Sequence, residues 1–380
     1  MNHLSNQLLR LKIEKQGFDN LLFSPLSIEL LFAIILSGSQ GKARKALLSL
    51  LGSSEGTWES DLRRLSEIIA GQTASTHLDY KGILTQCDFA NSFWYTPDQT
   101  ISSGFEQKLR QQFMAQAYSF AKNPADTQHQ INQWAATHTQ QMITELPIKI
   151  EPHTVMVLLS ALYLKTAWSH TFSDAIPDDF QLLDGSTATT QYMNLYCSGA
   201  QGSAYYQEQT SFKAFAYMSK DKRIAFVIYL PHEATGLPQL LDELTPDALE
   251  KWNKAWQPIT HFSLKIPKFE IEDEFKLSQF ASSLGLEDLF TPSSDFSQMF
   301  SDLHESLYLS EMGQPSKIRV DKEGLEASAV SYAVLTRGGV SNHDEPIIFR
   351  ATHPFYFQVQ DRKLNKNLFE GIFTTPTHTS

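Results

Sequence analysis

The sequence predicts an α+β fold. Helix-period patterning dominates the first third of the chain and strand patterning dominates the rest. Apolar residues recur along the whole length with no low-complexity break. Hydrophobic residues make up 42% of the 380 positions and charged residues 19%. That balance belongs to a globular chain with a sizeable core, not to a disordered one. No repeat or linker divides the chain, so it reads as one domain over residues 1–380.

The elements follow in order. Ser24 and Pro25 form an N-cap and first helical position. The helix behind them carries Ile28, Leu31, Phe32 and Ile35 at helical spacing, with Leu30, Ala33 and Ile34 on its other faces. A helix apolar nearly all round is a buried one. Residues 105–116 and 128–143 also read as helices, the second anchored by Ile131, Trp134 and Ala135. Residues 154–165 (TVMVLLSALYLK) are a continuous apolar run, suited to a central strand covered on both faces, and residues 224–230 (IAFVIYL) are another. Residues 261–266 and 354–361 alternate as half-buried strands do, and residues 275–284 return to helix.

Several function classes are excluded. A net charge of −11 disfavours nucleic acid or an anionic membrane as the main partner. The greasiest stretch, 21–36, is interrupted by Ser24, Pro25, Ser27 and Glu29 and is too short to span a bilayer. The first fifteen residues lack the apolar core of a signal peptide, so the expected location is the cytoplasm, or export without a classical signal. The two cysteines, Cys87 and Cys197, read as buried free thiols, since no metal spacing is present. There is no G-x-S-x-G, no H-E-x-x-H and no dinucleotide fingerprint, and residues 38–42 are only a fragment of a phosphate loop. The chain is read as no enzyme, with no cofactor and no metal. Arg63 and Arg64 are the one adjacent basic pair in the early helical region and read as a solvated face.

One segment fits no ordinary element. Residues 324–339 read GLEASAVSYAVLTRGG, and the middle has no charge and no proline. One alternating face is mostly small, with Ala327, Ala329, Ser331 and Ala333 between Leu325 and Leu335. Such a strand can slide between two others with little overpacking. Arg337, Gly338 and Gly339 then form a flexible, cleavable tip. An edge strand followed by a turn would explain the same pattern.

Several motifs in order resemble the serpin family from about Leu8 to Pro376. They are FSPLSI at 23–28, CDFANSF at 87–93, INQW at 131–134 with Leu146-Pro147, and ALYLKTAWSHTF at 161–172. They continue with IPKF at 266–269, SLGL at 283–286 with Leu289-Phe290, HPF at 353–355 and LFEG at 368–371. The resemblance implies about nine helices around three β-sheets and an exposed reactive loop at about 324–346. It also implies a mechanism. A protease cuts the loop, forms an acyl-enzyme, and is trapped when the freed loop inserts into the central sheet. The partner implied is a serine protease held covalently by a monomeric inhibitor.

The family's hinge maps onto Glu323, Gly324, Leu325, Glu326, Ala327, Ser328, Ala329, Val330 and Ser331. Leu325 departs from the usual Thr or Ser; it is bulky but apolar, so burial is not forbidden. A polar cluster implied beneath the insertion point comprises Ser24, Ser27, Ser160 and Gln314, with the family tryptophan at Trp168. Ser160 stands where Asn is usual and Gln314 where His is usual, a pair of changes that could compensate each other or could equally alter how easily the sheet opens. Counting from Gly324 puts the bait residue at Gly338, a hinge one residue shorter puts it at Arg337, and counting back from Pro354 lands near His343. Leu335 is a further candidate. Arg337 is preferred, because arginine fits the acidic pocket of trypsin-like enzymes and glycine offers no side chain. Two other functions remain open: a non-inhibitory carrier or chaperone on the same scaffold, and inhibition of papain-like cysteine proteases.

Overall fold

The computed structural model describes residues 3–73, 77–79, 82–146, 148–151, 154–291, 295–301, 308–325 and 345–376. Among them lie eight α-helices, two short 3-10 turns and three β-sheets, where about nine helices were expected. The expected α+β class is observed.

The helix Pro25–Gly38 organises the interior. Ser24 caps it, its side chain accepting from the Ser27 N–H, and Pro25 occupies the first turn. All but one of its residues are buried, as its apolar girth requires. It lies between two seven-stranded sheets, against the strands Met156–Ala167 and Lys366–Phe373. The central sheet runs in the order 269–276, 311–320, 324–325, 156–167, 82–95, 77–79, with 115–119 paired to 82–95. The second runs 21–23, 366–373, 355–361, 224–231, 212–218, 204–208, 257–259. A third, four-stranded sheet runs 347–350, 261–267, 187–198, 176–181.

The strand Met156–Ala167 is covered on both faces, as its sequence requires. Met156, Leu158, Leu162 and Leu164 face the main core. Val157, Leu159 and Ala161 face a second cluster built on Ile131, Trp134 and Ala135 of the helix Pro124–His138. The strands at 224–231, 261–267 and 355–361 stand where the pattern places them.

Three helix boundaries differ from expectation. The helix expected at 105–116 is Ser103–Gln112, ending before Met114, whose φ of 48 lies in the left-handed region, and a strand begins at Ala115. The helix expected at 128–143 is Pro124–His138. Asn123 caps its start, and Gln140 and Gln141 at φ 50 and 65 break its end. Residues 275–284 are not an α-helix. The strand continues to Lys276, with Phe275 paired to Gln314 and its ring 5.7 Å from Phe23. Only the 3-10 turn Leu277–Phe280 follows, and it buries Leu277 and Phe280 at its natural spacing of three.

Candidate functional site: a seam in the central sheet

The central sheet is not continuously paired. The parallel strands Glu311–Val320 and Met156–Ala167 bond to each other at one end only, in register Glu311 to Val157, Met312 to Leu158 and Gly313 to Leu159. Beyond that point they part. At the far end the two-residue strand Gly324–Leu325 is wedged between them, Leu325 opposite Val320 on one side and Thr166 on the other, Gly324 opposite Ala167. Between the two ends lies a cavity lined by Leu162, Leu164, Ile318, Leu325 and Met142 among others.

The wedge is held by a tight turn. The Asp321 N–H donates to Gly324 O at 3.1 Å. Asp321 Oδ1 accepts the N–H groups of Glu323 at 2.8 Å and Gly324 at 3.3 Å, an aspartate turn of the usual kind. Burial pushes the Asp321 carboxyl above its ordinary range, against the pull of those two N–H groups. Trp168 clamps the turn from the neighbouring strand: Nε1 donates to Asp321 O at 2.8 Å and its backbone N–H to Glu323 O at 3.0 Å. The Phe172 N–H donates to Lys322 O at 3.0 Å, and Lys322 pairs with Asp174. A Cβ on Gly324 would stand 1.9 Å from Thr166 O, so only glycine lets the backbone approach this closely. Leu325 is buried, 1% exposed.

The polar cluster sits where the strands part. The Ser24 N–H donates to Gln314 Oε1 at 2.9 Å, and the Ser27 N–H to Ser24 Oγ at 3.2 Å. Gln314 Nε2 donates to Ser316 Oγ at 2.7 Å and to Pro315 O at 3.1 Å. Ser160 and Gln314 are not hydrogen-bonded to each other. Ser160 lies opposite Asn91, and its Oγ is buried without a hydrogen-bond partner, as are Ser27 Oγ and Asn91 Oδ1. Trp168 stands apart from the four polar residues, eight positions along the chain from Ser160 and roughly 26 Å if extended. Sequence reasoning missed Asp321, Lys322 and Asp174. An Asp three positions before a Gly was the available signal for the first.

Of the sequence-predicted residues, Gly324 and Leu325 are in the wedge and Glu323 is in the turn that holds it. Glu326, Ala327, Ser328, Ala329, Val330, Ser331, Arg337 and Gly338 lie outside the described residues, as do Leu335, His343 and Pro147. Both cysteines are free and buried, and burial pushes the Cys197 thiol up to about 11. Arg63 and Arg64 are exposed on the helix Trp58–Thr73. Among the described residues no helix is long and apolar enough to cross a membrane, and no side-chain group is arranged to hold a metal.

A family model described as Serpin (serine protease inhibitor) matches residues 1–376. Serpin-Z4 of Arabidopsis thaliana is 30% identical over 381 residues, covering 94% of this chain and 92% of that protein. Serpin B10 of Otolemur garnettii is 26% identical, covering 94% of each. The native, stressed conformation of an Arabidopsis serpin superposes with a TM-score of 0.81 at 26% identity, covering 99% of this chain and 96% of that one. Thyroxine-binding globulin in complex with thyroxine shares the fold, with a TM-score of 0.86 at 18% identity over 99% of this chain and 98% of that one. Members of this family are generally protease inhibitors rather than enzymes, though some are not inhibitory. The motifs, the three-sheet fold and these likenesses agree: the chain belongs to the serpin family.

Proposed function

We propose that this chain is a suicide-substrate inhibitor of trypsin-like serine proteases, acting as a single-domain monomer with its reactive bond between Arg337 and Gly338. The observation that carries the reading is the seam. Two strands of the central sheet are paired at Glu311–Gly313 and wedged apart at Leu325, with a cavity between. The chain that would fill it begins at the wedge itself and carries the small-residue face of Ala327, Ala329 and Ser331. After cleavage at Arg337, the loop adds a strand along Gln314–Arg319 and Ser160–Lys165, completing backbone hydrogen bonds those strands do not make to each other. At about 3.3 Å per residue, Gly324 to Arg337 gives a strand of about 40 Å, enough to carry the acyl-linked protease along the sheet.

The test is incubation with a panel of trypsin-like enzymes, read on a denaturing gel. The expected result is a covalent complex that survives boiling in detergent, lost in Arg337→Ala. Cleavage of the loop with the protease left fully active overturns the inhibitory reading. That result would favour a carrier role, for which the observation is the buried Leu325 anchoring the hinge.

A further inference from the structure

Three buried side-chain oxygens at the closed end of the seam have no hydrogen-bond partner among the described residues: Ser27 Oγ, Ser160 Oγ and Asn91 Oδ1. Their residues are 0%, 1% and 2% exposed. The register gathers them. Asn91 stands opposite Ser160 on adjacent strands. The parallel pairing that ends at Gly313 and Leu159 puts Ser160 level with Gln314, at the point where the strands part. Phe89 and Phe93 on either side of Asn91, and Leu158 and Leu162 on either side of Ser160, belong to the main core, so both polar side chains share that face. The helix Pro25–Gly38 packs on the strand Met156–Ala167, and Ser27 lies in its first turn.

The surrounding groups are already engaged. Asn91 Nδ2 donates to Phe113 O at 2.8 Å, which fixes the amide and leaves Oδ1 an acceptor only. Both ends of the Gln314 amide are taken, by the Ser24 N–H and by Ser316 Oγ with Pro315 O. Ser37 and Ser39 turn their hydroxyls back to Ala33 O and Ile35 O, but Ser27 has no helical carbonyl four residues behind it.

We infer that Ser27, Ser160 and Asn91 hold one buried water molecule, which bridges the helix Pro25–Gly38 to the strands Met156–Ala167 and Gly82–Tyr95 beneath the closed end of the seam. The donors and acceptors balance. The water donates to Asn91 Oδ1 and to one serine oxygen and accepts from the hydroxyl of the other serine, three bonds in all, the usual number for an internal water. Polar atoms left unmet in an apolar interior are costly, and a single neutral molecule of this size meets all three. The apolar side chains around it bar the way to bulk solvent, so it exchanges only when the strands part, and its lifetime in the site measures the opening of the seam. The site stands whether or not the chain is an inhibitor.

A crystal structure of the full chain should show one solvent peak within about 3.2 Å of all three oxygens. Oxygen-17 magnetic relaxation dispersion, which counts long-lived internal waters, should find one fewer in Ser160→Ala and in Ser160→Val than in wild type. Leu325→Ala, which loosens the wedge, should shorten the lifetime of that water at least threefold. A crystal structure in which Ser160 Oγ bonds directly to Asn91 Oδ1 with no solvent peak beside them overturns the inference. The same water count in wild type and both Ser160 variants does so too. A lifetime unchanged in Leu325→Ala separates the water from the seam and overturns its bridging role.

Discussion

The two seven-stranded sheets are similar in size and opposite in completeness. In the second sheet, the strand Ile224–Pro231 is bonded on both sides. It pairs with 355–361 from Ile224 through Tyr229 and with 212–218 from Ala225 through Pro231. Every residue of the strand is buried. Its interior is aromatic, with Phe226, Phe269, Phe357 and Tyr217 in ring contact with one another or with Trp168. The central sheet is as regular on one side, where 82–95 pairs with 156–167 without a break from Thr85 to Tyr95. On the other side the strands 311–320 and 156–167 pair only over Glu311–Gly313 and then part. On the proposed reading that difference would locate the stored energy: one sheet has nothing to gain from rearrangement, whereas the other would gain hydrogen bonds and burial by admitting a strand.

The contrast can be broken or sharpened by substitution. The largest effect is expected in the complete sheet. Arg223 Nε donates to Asp361 Oδ2 at 2.8 Å, with the side chains 4% and 0% exposed, so the pair staples 224–231 to 355–361. Asp361 Oδ1 also accepts the N–H groups of Lys363 and Leu364. Asp361→Ala removes the carboxylate that pairs with a buried guanidinium and should cost about 3–5 kcal/mol, measured by denaturant unfolding. An unchanged midpoint would show that this sheet does not carry the native stability.

A smaller effect separates the sheets directly. Leu230 and Leu325 are both buried leucines. Leu230 is locked in a strand paired on both sides and cannot leave, so Leu230→Ala should cost about 3–4 kcal/mol. Leu325 sits on a two-residue strand that pairs at one residue with Val320 and at two with Met156–Ala167. Leu325→Ala should cost only about 1–2 kcal/mol, because the wedge can withdraw and let the strands relax. Equal costs would mean the wedge is as fixed as the complete sheet. The fluorescence of Trp168, hydrogen-bonded to the turn at Asp321, should report that withdrawal.

Much of this was legible in the sequence. The buried helix at Pro25–Gly38 announces itself because apolarity on every face admits only one environment. The run from residue 156 announces a two-sided strand for the same reason. The family motifs then supplied the sheet count. What could not be read was set by tertiary partners. Residues 275–284 carry helical spacing, yet Phe275 is held in the strand by its pairing with Gln314 and its packing on Phe23 and Phe280. Leu325 looked like a bulky departure in a hinge, and nothing local told that it would fill the top of a cavity. For Gln314 and Ser160 the sequence left compensation and an altered sheet opening both open; the Gln314 amide reaches Ser24 and Ser316, and no sequence spacing encodes that choice.

The central claim is that the seam in the central sheet is an unfilled strand position. Thermal unfolding of intact protein and of protein cut once within the loop tests it most directly, since any cut near Arg337 frees the same segment. Filling the seam and relieving the strain of the parted strands should raise the midpoint by roughly 20 °C, with the Ala327→Arg variant failing to show the rise because an unpaired guanidinium resists burial. A midpoint that is the same before and after the cut would contradict the account: the seam would then be a fixed feature of the fold, and the loop a loop like any other.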